Sequence, residues 1–417
     1  MKRNRWAALL CAAPCAMPLS GCSDALAAAR IEAGTHTADA AAEEPSEAFL
    51  RSLADFTAKT AAEILPEAGE GENALYSPAS LYLALAMTAD TAAGETQAQM
   101  RALLGAKDAD SLRADAGNWY RSLCYDGEKG TLAAAGSLWL NEAVSFRQEP
   151  LDRLADSYGA YAYRADFSSP DYPETVAAWV REETGGLLGE AADFKPGPDS
   201  ALLLLSTLYF KGMWSEPFPE SLTADGEFFL ADGSAVTARF MEREAGSGYI
   251  DGEGFTAASL PFRGGAEMRF ILPDEGVSPA GLAADPETLA AALFPEETVY
   301  AQVDFRVPQF DYGVSLDDLA RPLRTLGVTD AFDGELADFS PLSEEPLFLS
   351  SVRQDAAISI DEEGCVGAAY TAVSMNTAAA MPPEENFTLD LNRPFLFAVL
   401  KGETVLFVGI VENPAES

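Results

Sequence analysis

One histidine, His36, and five cysteines, Cys11, Cys15, Cys22, Cys124 and Cys365, are all the imidazole and thiol in this chain of 417 residues. His36 falls in the Ala/Glu-rich run "SDALAAARIEAGTHTADAAAEEP", ahead of the first amphipathic segment, so the region expected to fold holds no imidazole. That excludes Ser-His-Asp and Cys-His catalysis and histidine-held zinc, because each needs an imidazole to move a proton or donate a lone pair. No CxxC pair, Walker-type glycine loop or GxGxxG turn is present, and no cofactor or metal is expected. Carboxylates are so abundant that a pair of them carries no specificity as an acid–base couple. An enzyme is therefore not expected.

The remaining chemistry lies in a stretch that something else could attack. "DEEGCVGAAYTAVSMNTAAAMPPEE", Asp361 to Glu385, has no charged side chain from Gly364 to Met381, although the chain carries 66 Asp and Glu. It is too polar for a membrane span, poor in strand formers and without a helical stripe. It reads as a long surface loop, and such a loop in a compact domain usually has a function.

Composition bounds the rest. With 48% hydrophobic residues there is ample material for a large core without staples. The opening "MKRNRWAALLCAAPCAMPLSGC" has basic residues, an apolar stretch, and then Leu19-Ser20-Gly21-Cys22, the layout of an export signal. Its last four residues resemble a bacterial lipobox. A signal over 1–21 is expected, with Cys22 lipidated and the protein anchored to the cell envelope outside the cytoplasm without spanning the membrane; the alternative is an ordinary signal peptide cut further on, near Ala25 to Ala29. Removal of residues 1–21 takes Lys2, Arg3 and Arg5 and no acid, leaving 66 acidic against 24 basic side chains, a formal −42. Such a charge argues against nucleic acid or heparin-like polyanions as partners. Cys11, Cys15 and Cys22 belong to the leader, so Cys124 and Cys365 alone make no disulfide framework.

The elements that must position the loop follow from periodicity. Residues 22–45 read as a flexible tether, reaching on the order of 75 Å when extended. Ser46 is a plausible N-cap for a helix through Phe49, Leu53, Phe56 and Ile64, and Ser77-Pro78 starts another. Gly105 ends a third after "GETQAQMRALL". "ALLLLSTLYF" (201–210) reads as a buried central strand, and "QVDFRVPQF" (302–310) alternates Val303, Phe305 and Val307 against Asp304 and Arg306. "PFLFAVL" and "TVLFVGIV" form a closing pair. Helices dominate early and strands late, which gives one α+β domain over 46–417 without repeats.

Several blocks along the chain resemble the serpin family. These are "NALYSPASLYLALAMTADTAAGETQAQM" (73–100), "LLLLSTLYFKGMWSEPF", "ASLPFRGGAEMRFILPDE", "LRTLGVTDAFDGELADFSPLS", "ISIDEEGCVGAAYTA" and "NRPFLFAVL…VLFVGIVENP", in family order from about residue 47 to 414. The resemblance implies three β-sheets, eight or nine helices and an exposed reactive-centre loop at about 362–383. It implies a monomer that baits an extracellular serine protease. The protease cuts the loop, becomes acylated, and is trapped covalently as the loop inserts into the largest sheet.

The resemblance also assigns residues. The hinge would be Glu362, Glu363, Gly364, Cys365, Val366, Gly367, Ala368, Ala369 and Thr371. Every second side chain of an inserted strand must enter the space beneath the sheet; from Cys365 that set is Cys365, Gly367, Ala369, Thr371, Val373 and Met375, none charged. Cys365 stands where the family usually has Thr or Ser, and Tyr370 where Ala or Thr is usual. The polar cluster where the sheet opens would be Asn73, Ser77, Ser80, Ser206, Trp214 and Gln354, with Ser206 in place of Asn and Gln354 in place of His. The cut bond falls after Ala378 by spacing from Glu362, or after Ala379 by spacing from Pro382-Pro383, with Thr377 and Ala380 beside them. Small residues suit an elastase-like pocket. A serpin whose loop is a mere substrate, or an inhibitor of cysteine proteases, remains the alternative.

Overall fold

Two serines start helices where their caps predict: Ser46 Oγ accepts the Phe49 N–H at 3.2 Å, and Ser77 Oγ accepts the Ser80 N–H at 3.2 Å. The computed structural model describes residues 29–31, 44–69, 71–123, 125–127, 130–184, 186, 201–365 and 385–416. In chain order these give β1 (Ala29–Ile31), α1 (Glu47–Ile64), β2 (Ala74–Tyr76), α2 (Pro78–Thr91), α3 (Gly94–Leu103), α4 (Ala109–Leu123), β3 (Tyr125–Gly127), β4 (Gly130–Asn141), α5 (Gln148–Tyr158), β5 (Tyr161–Ala165), α6 (Tyr172–Glu183) and β6 (Leu202–Met213). There follow β7 (Ala224–Phe229), β8 (Ala235–Gly252), β9 (Phe255–Pro261), β10 (Ala266–Pro273), α7 (Pro279–Ala283), α8 (Pro286–Leu293), β11 (Val299–Pro308), β12 (Phe310–Leu316) and α9 (Ala320–Thr325). The chain closes with β13 (Gln354–Ile360), β14 (Gly364–Cys365), β15 (Asn386–Asp390), β16 (Phe395–Lys401) and β17 (Thr404–Val411). Nine α-helices among the described residues match the expected number.

The strands pair as two networks. An eight-stranded sheet has the order β1-β5-β4-β6-β14-β13-β12 with β3 added to β4, and a nine-stranded one runs β15-β11-β8-β9-β10-β16-β17-β2 with β7 added to β8. The 18-residue β8 serves two groups: it pairs with β7 and β11 up to Tyr249 and with β9 from there on. The expected three sheets are thus one large sheet and two that share β8.

All fourteen residues of α2 are buried, as a helix apolar on nearly every side must be. It packs behind β6 and β17 and forms the centre of the main core. On the other face of the large sheet, α6 makes a separate cluster: Trp139 stacks on Tyr163 at 4.6 Å and meets Trp179 and Tyr172 edge-on.

The expected tether is not free throughout its length. Ala29, Arg30 and Ile31 pair antiparallel with Arg164, Tyr163 and Ala162, adding β1 to the open edge of β5. A three-residue strand has no period of its own to read; the neighbouring edge defines it.

Candidate functional site

The site is the point where the large sheet receives the hinge. β13 leaves the sheet at Ile360, turns through Asp361, Glu362 and Glu363, and returns as β14. The Asp361 carboxylate closes the turn by accepting the Glu363 and Gly364 N–H groups at 2.9 and 3.0 Å, while the Asp361 N–H donates to the Gly364 carbonyl at 3.0 Å.

Trp214 holds the turn from below. Its indole N–H donates to the Asp361 carbonyl at 3.0 Å and its backbone N–H to the Glu363 carbonyl at 2.9 Å. Its ring lies flat on Phe262, 4.3 Å away. The Phe218 N–H donates to the Glu362 carbonyl at 2.9 Å, and the Glu362 carboxylate accepts Gln309 Nε2 at 2.6 Å with the Arg239 guanidinium 3.7 Å away.

β14 then enters between two strands. Gly364 and Cys365 pair with Met213 and Gly212 of β6, and Cys365 pairs with Ile360 of β13. Among the described residues no ladder joins β6 to β13 directly, and β14 pairs with both. Cys365 is buried in the main core beneath the sheet. That is the side to which the expected inward set assigns it. Burial pushes its thiol up to about 12; a backbone hydrogen bond from Ser359 opposes this as the smaller effect.

Under the middle of the sheet lies a polar brace. The Ser77 N–H donates to Gln354 Oε1 at 2.7 Å and Gln354 Nε2 donates to the Ser77 carbonyl at 2.9 Å. Ser77 Oγ donates to the Leu406 carbonyl at 2.7 Å, and Ser80 Oγ to the Ser206 carbonyl and hydroxyl at 3.0 and 3.1 Å. Ser80, Ser206 and Gln354 also line a cavity of about 20 Å³, room for about one water. Gln354, which departs from the family pattern, thus uses both ends of its amide, and Ser206, which also departs from it, accepts from Ser80 Oγ.

Of the expected set, Ser77, Ser80, Ser206 and Gln354 meet in the brace, and Trp214, Glu362, Glu363, Gly364 and Cys365 at the hinge. Asn73 belongs to neither. Its side chain ties the start of β2 to the C-terminal segment through Asn413 O, Glu412 N and Asn413 N. Val366, Gly367, Ala368, Ala369, Thr371, Thr377, Ala378, Ala379, Ala380 and Cys22 lie outside the described residues. Gln309, Arg239, Phe262 and Gly212 were not in the expected set. Only Gly212 had a signal, a glycine within a strand, which often marks a close backbone approach.

The hinge thus pairs two residues of its own chain between two longer strands of the large sheet. The family model for Serpin (serine protease inhibitor) matches residues 51–414. Serpin-ZX of Arabidopsis thaliana is 30% identical over 85% of this chain and 95% of its own length; plasminogen activator inhibitor 1 of Sus scrofa is 31% identical over 87% and 92%. The native structure of the thermophilic serpin tengpin superposes with a TM-score of 0.79 at 28% identity, covering 92% of this chain and all of that one. The chain belongs to the serpin family.

Proposed function

We propose that this serpin is a suicide inhibitor of extracellular serine proteases with shallow, elastase-like pockets, held outside the cytoplasm on the bacterial envelope by a lipidated Cys22. The hinge carries the reading. Gly364 and Cys365 already pair between β6 and β13, with Cys365 turned into the core. If the loop continues that strand, Gly367, Ala369 and Thr371 follow Cys365 inward, and none of them brings a charge under the sheet.

In the general serpin mechanism the protease serine oxygen attacks the carbonyl carbon of the scissile residue, here Ala378 or Ala379. The peptide C–N bond breaks and the new amino terminus leaves with the proton. The loop, still acylated to the protease, then adds to the sheet faster than water cleaves the ester. Similarity to a protein named plasminogen activator inhibitor 1 supports an inhibitory role.

Mixing the protein with pancreatic elastase and running denaturing gels tests this. A covalent band, with cleavage mapped by mass to residues 377–380, is the expected result. Complete loop cleavage beside fully active elastase would sink it and leave the second reading, a loop that is only a substrate. Tyr370, bulky where the family has a small residue, is what favours that second reading. Gly367→Glu or Ala369→Glu should convert trapping into turnover.

A further inference from the structure

We propose that Ala29, Arg30 and Ile31, docked on β5 between Cys22 and the first helix, fix which end of the molecule faces the membrane. The inference rests on the lipid-anchor reading of Cys22 and on one structural observation, the pairing of Ala29, Arg30 and Ile31 with β5.

β5 is otherwise the outermost strand on its side of the large sheet, so β1 covers an edge whose backbone groups would face water. The docked residues include Ile31, the only Ile or Val in residues 22–45, and thus the best strand former the segment has. Docking shortens the anchor. Six residues separate Cys22 from Ala29, about 25 Å at full stretch, against roughly 75 Å for a tether free to Ser46.

Register then sets the polarity. Ala29 lies opposite Arg164, and Arg164 lies beside Leu140, which pairs with Leu202 at the start of β6. Cys365 lies opposite Gly212, near the other end of β6. Ten residues of strand, about 33 Å, separate those levels, and four strand spacings, about 19 Å, separate β1 from β14 across the sheet. The chain arrives from Cys22 at the Ala29 end of β1. The lipid therefore lies within about 25 Å of Ala29, on the half of the molecule away from the hinge, and the hinge faces away from the membrane.

Two measurements test the proposal. In a Cys124→Ser background, the pairs Ala29→Cys with Arg164→Cys and Arg30→Cys with Tyr163→Cys should oxidise to an intrachain disulfide in at least one case, because opposite residues in an antiparallel pair lie within disulfide reach. The mismatched pair Thr35→Cys with Arg164→Cys should not. For the lipidated protein in phosphatidylcholine vesicles, a dye at Ser168→Cys should transfer energy to an acceptor in the bilayer more strongly than a dye at Glu220→Cys near the hinge. Replacing Ala29-Arg30-Ile31 by three glycines should abolish that difference. Protein that floats with the vesicles but neither cross-links nor shows the difference overturns the docking. Protein that cross-links but does not float overturns the anchor reading, and with it the membrane polarity, while the docked strand stands.

Discussion

At position 364 a single methyl group decides whether the hinge can dock. A Cβ there would overlap the Gly212 carbonyl oxygen and lie 2.8 Å from Met213 Cα; both are backbone atoms that cannot swing aside. Gly364→Ala is therefore expected to break the β14 pairing and cost about 1–3 kcal/mol, seen as a lower denaturant midpoint together with faster alkylation of Cys365. An unchanged midpoint and a still-protected thiol would contradict that packing. Cys365 gives the site a pH dependence. Its thiol is held at about 12, above the ordinary value of 9.0, so above pH 9 the unfolded chain gives up this proton before the folded one does. The thiol's contribution is fully present below pH 9 and is lost as pH rises toward 12, by about 1.4 kcal/mol per unit. The stability gap between wild type and Cys365→Ala should narrow between pH 8 and pH 10 in denaturant titrations; a constant gap would mean that the thiol reaches water. The caps were legible in the sequence because each rests on local chemistry, and the inward-facing Cys365 because the family resemblance placed the hinge and period 2 then fixed its side. Gln309 and Arg239 were not, since nothing near them in sequence marks the carboxylate they meet across the fold.

Between elements, the brace from β13 to α2 matters more than either element's own propensity. Gln354 satisfies both the N–H and the carbonyl of Ser77, a residue with 1% of its surface exposed. Gln354→Ala leaves the Ser77 N–H buried and unpaired, at about 1–3 kcal/mol, and takes one of two hydrogen bonds from the Ser77 carbonyl, which keeps the Leu81 N–H. The loss should appear as a lower unfolding midpoint that Gln354→Glu, which keeps an acceptor for the Ser77 N–H, only partly restores; equal midpoints for the two variants would refute the two-sided role. Long strands were readable where burial imposes a pattern. β11 keeps Val303, Phe305 and Val307 buried with Asp304 exposed, and every residue of β17 is buried, as its unbroken apolar run implies. β1 and β14 were not readable as strands, because two or three residues carry no periodicity and their pairing is decided by the edges they meet. The 18-residue β8 was hidden for a different reason: Gly246 and Gly248 interrupt its pattern, while its partners β11 and β9 keep it extended.

For the whole molecule the quantity that tests the proposed mechanism is the free energy that insertion of the loop between β6 and β13 would release. An inserted loop would add about a dozen strand residues, and at roughly 0.5–1.5 kcal/mol for each net hydrogen bond the gain is on the order of 10 kcal/mol. On the proposed mechanism the uncut protein is a kinetically trapped state, so cutting the loop should make the protein more stable, whereas a nick in an ordinary loop removes a constraint and lowers stability. Protein cleaved within residues 377–380 and freed of protease should unfold in guanidinium at a midpoint higher by about 1 M or more than the intact chain. The Gly367→Glu variant, cleaved in the same place, should show little of that rise, because its carboxylate would have to enter the core beside Cys365. Cleaved wild type that unfolds no later than intact protein would remove loop insertion as the source of trapping, even if elastase cuts the expected bond.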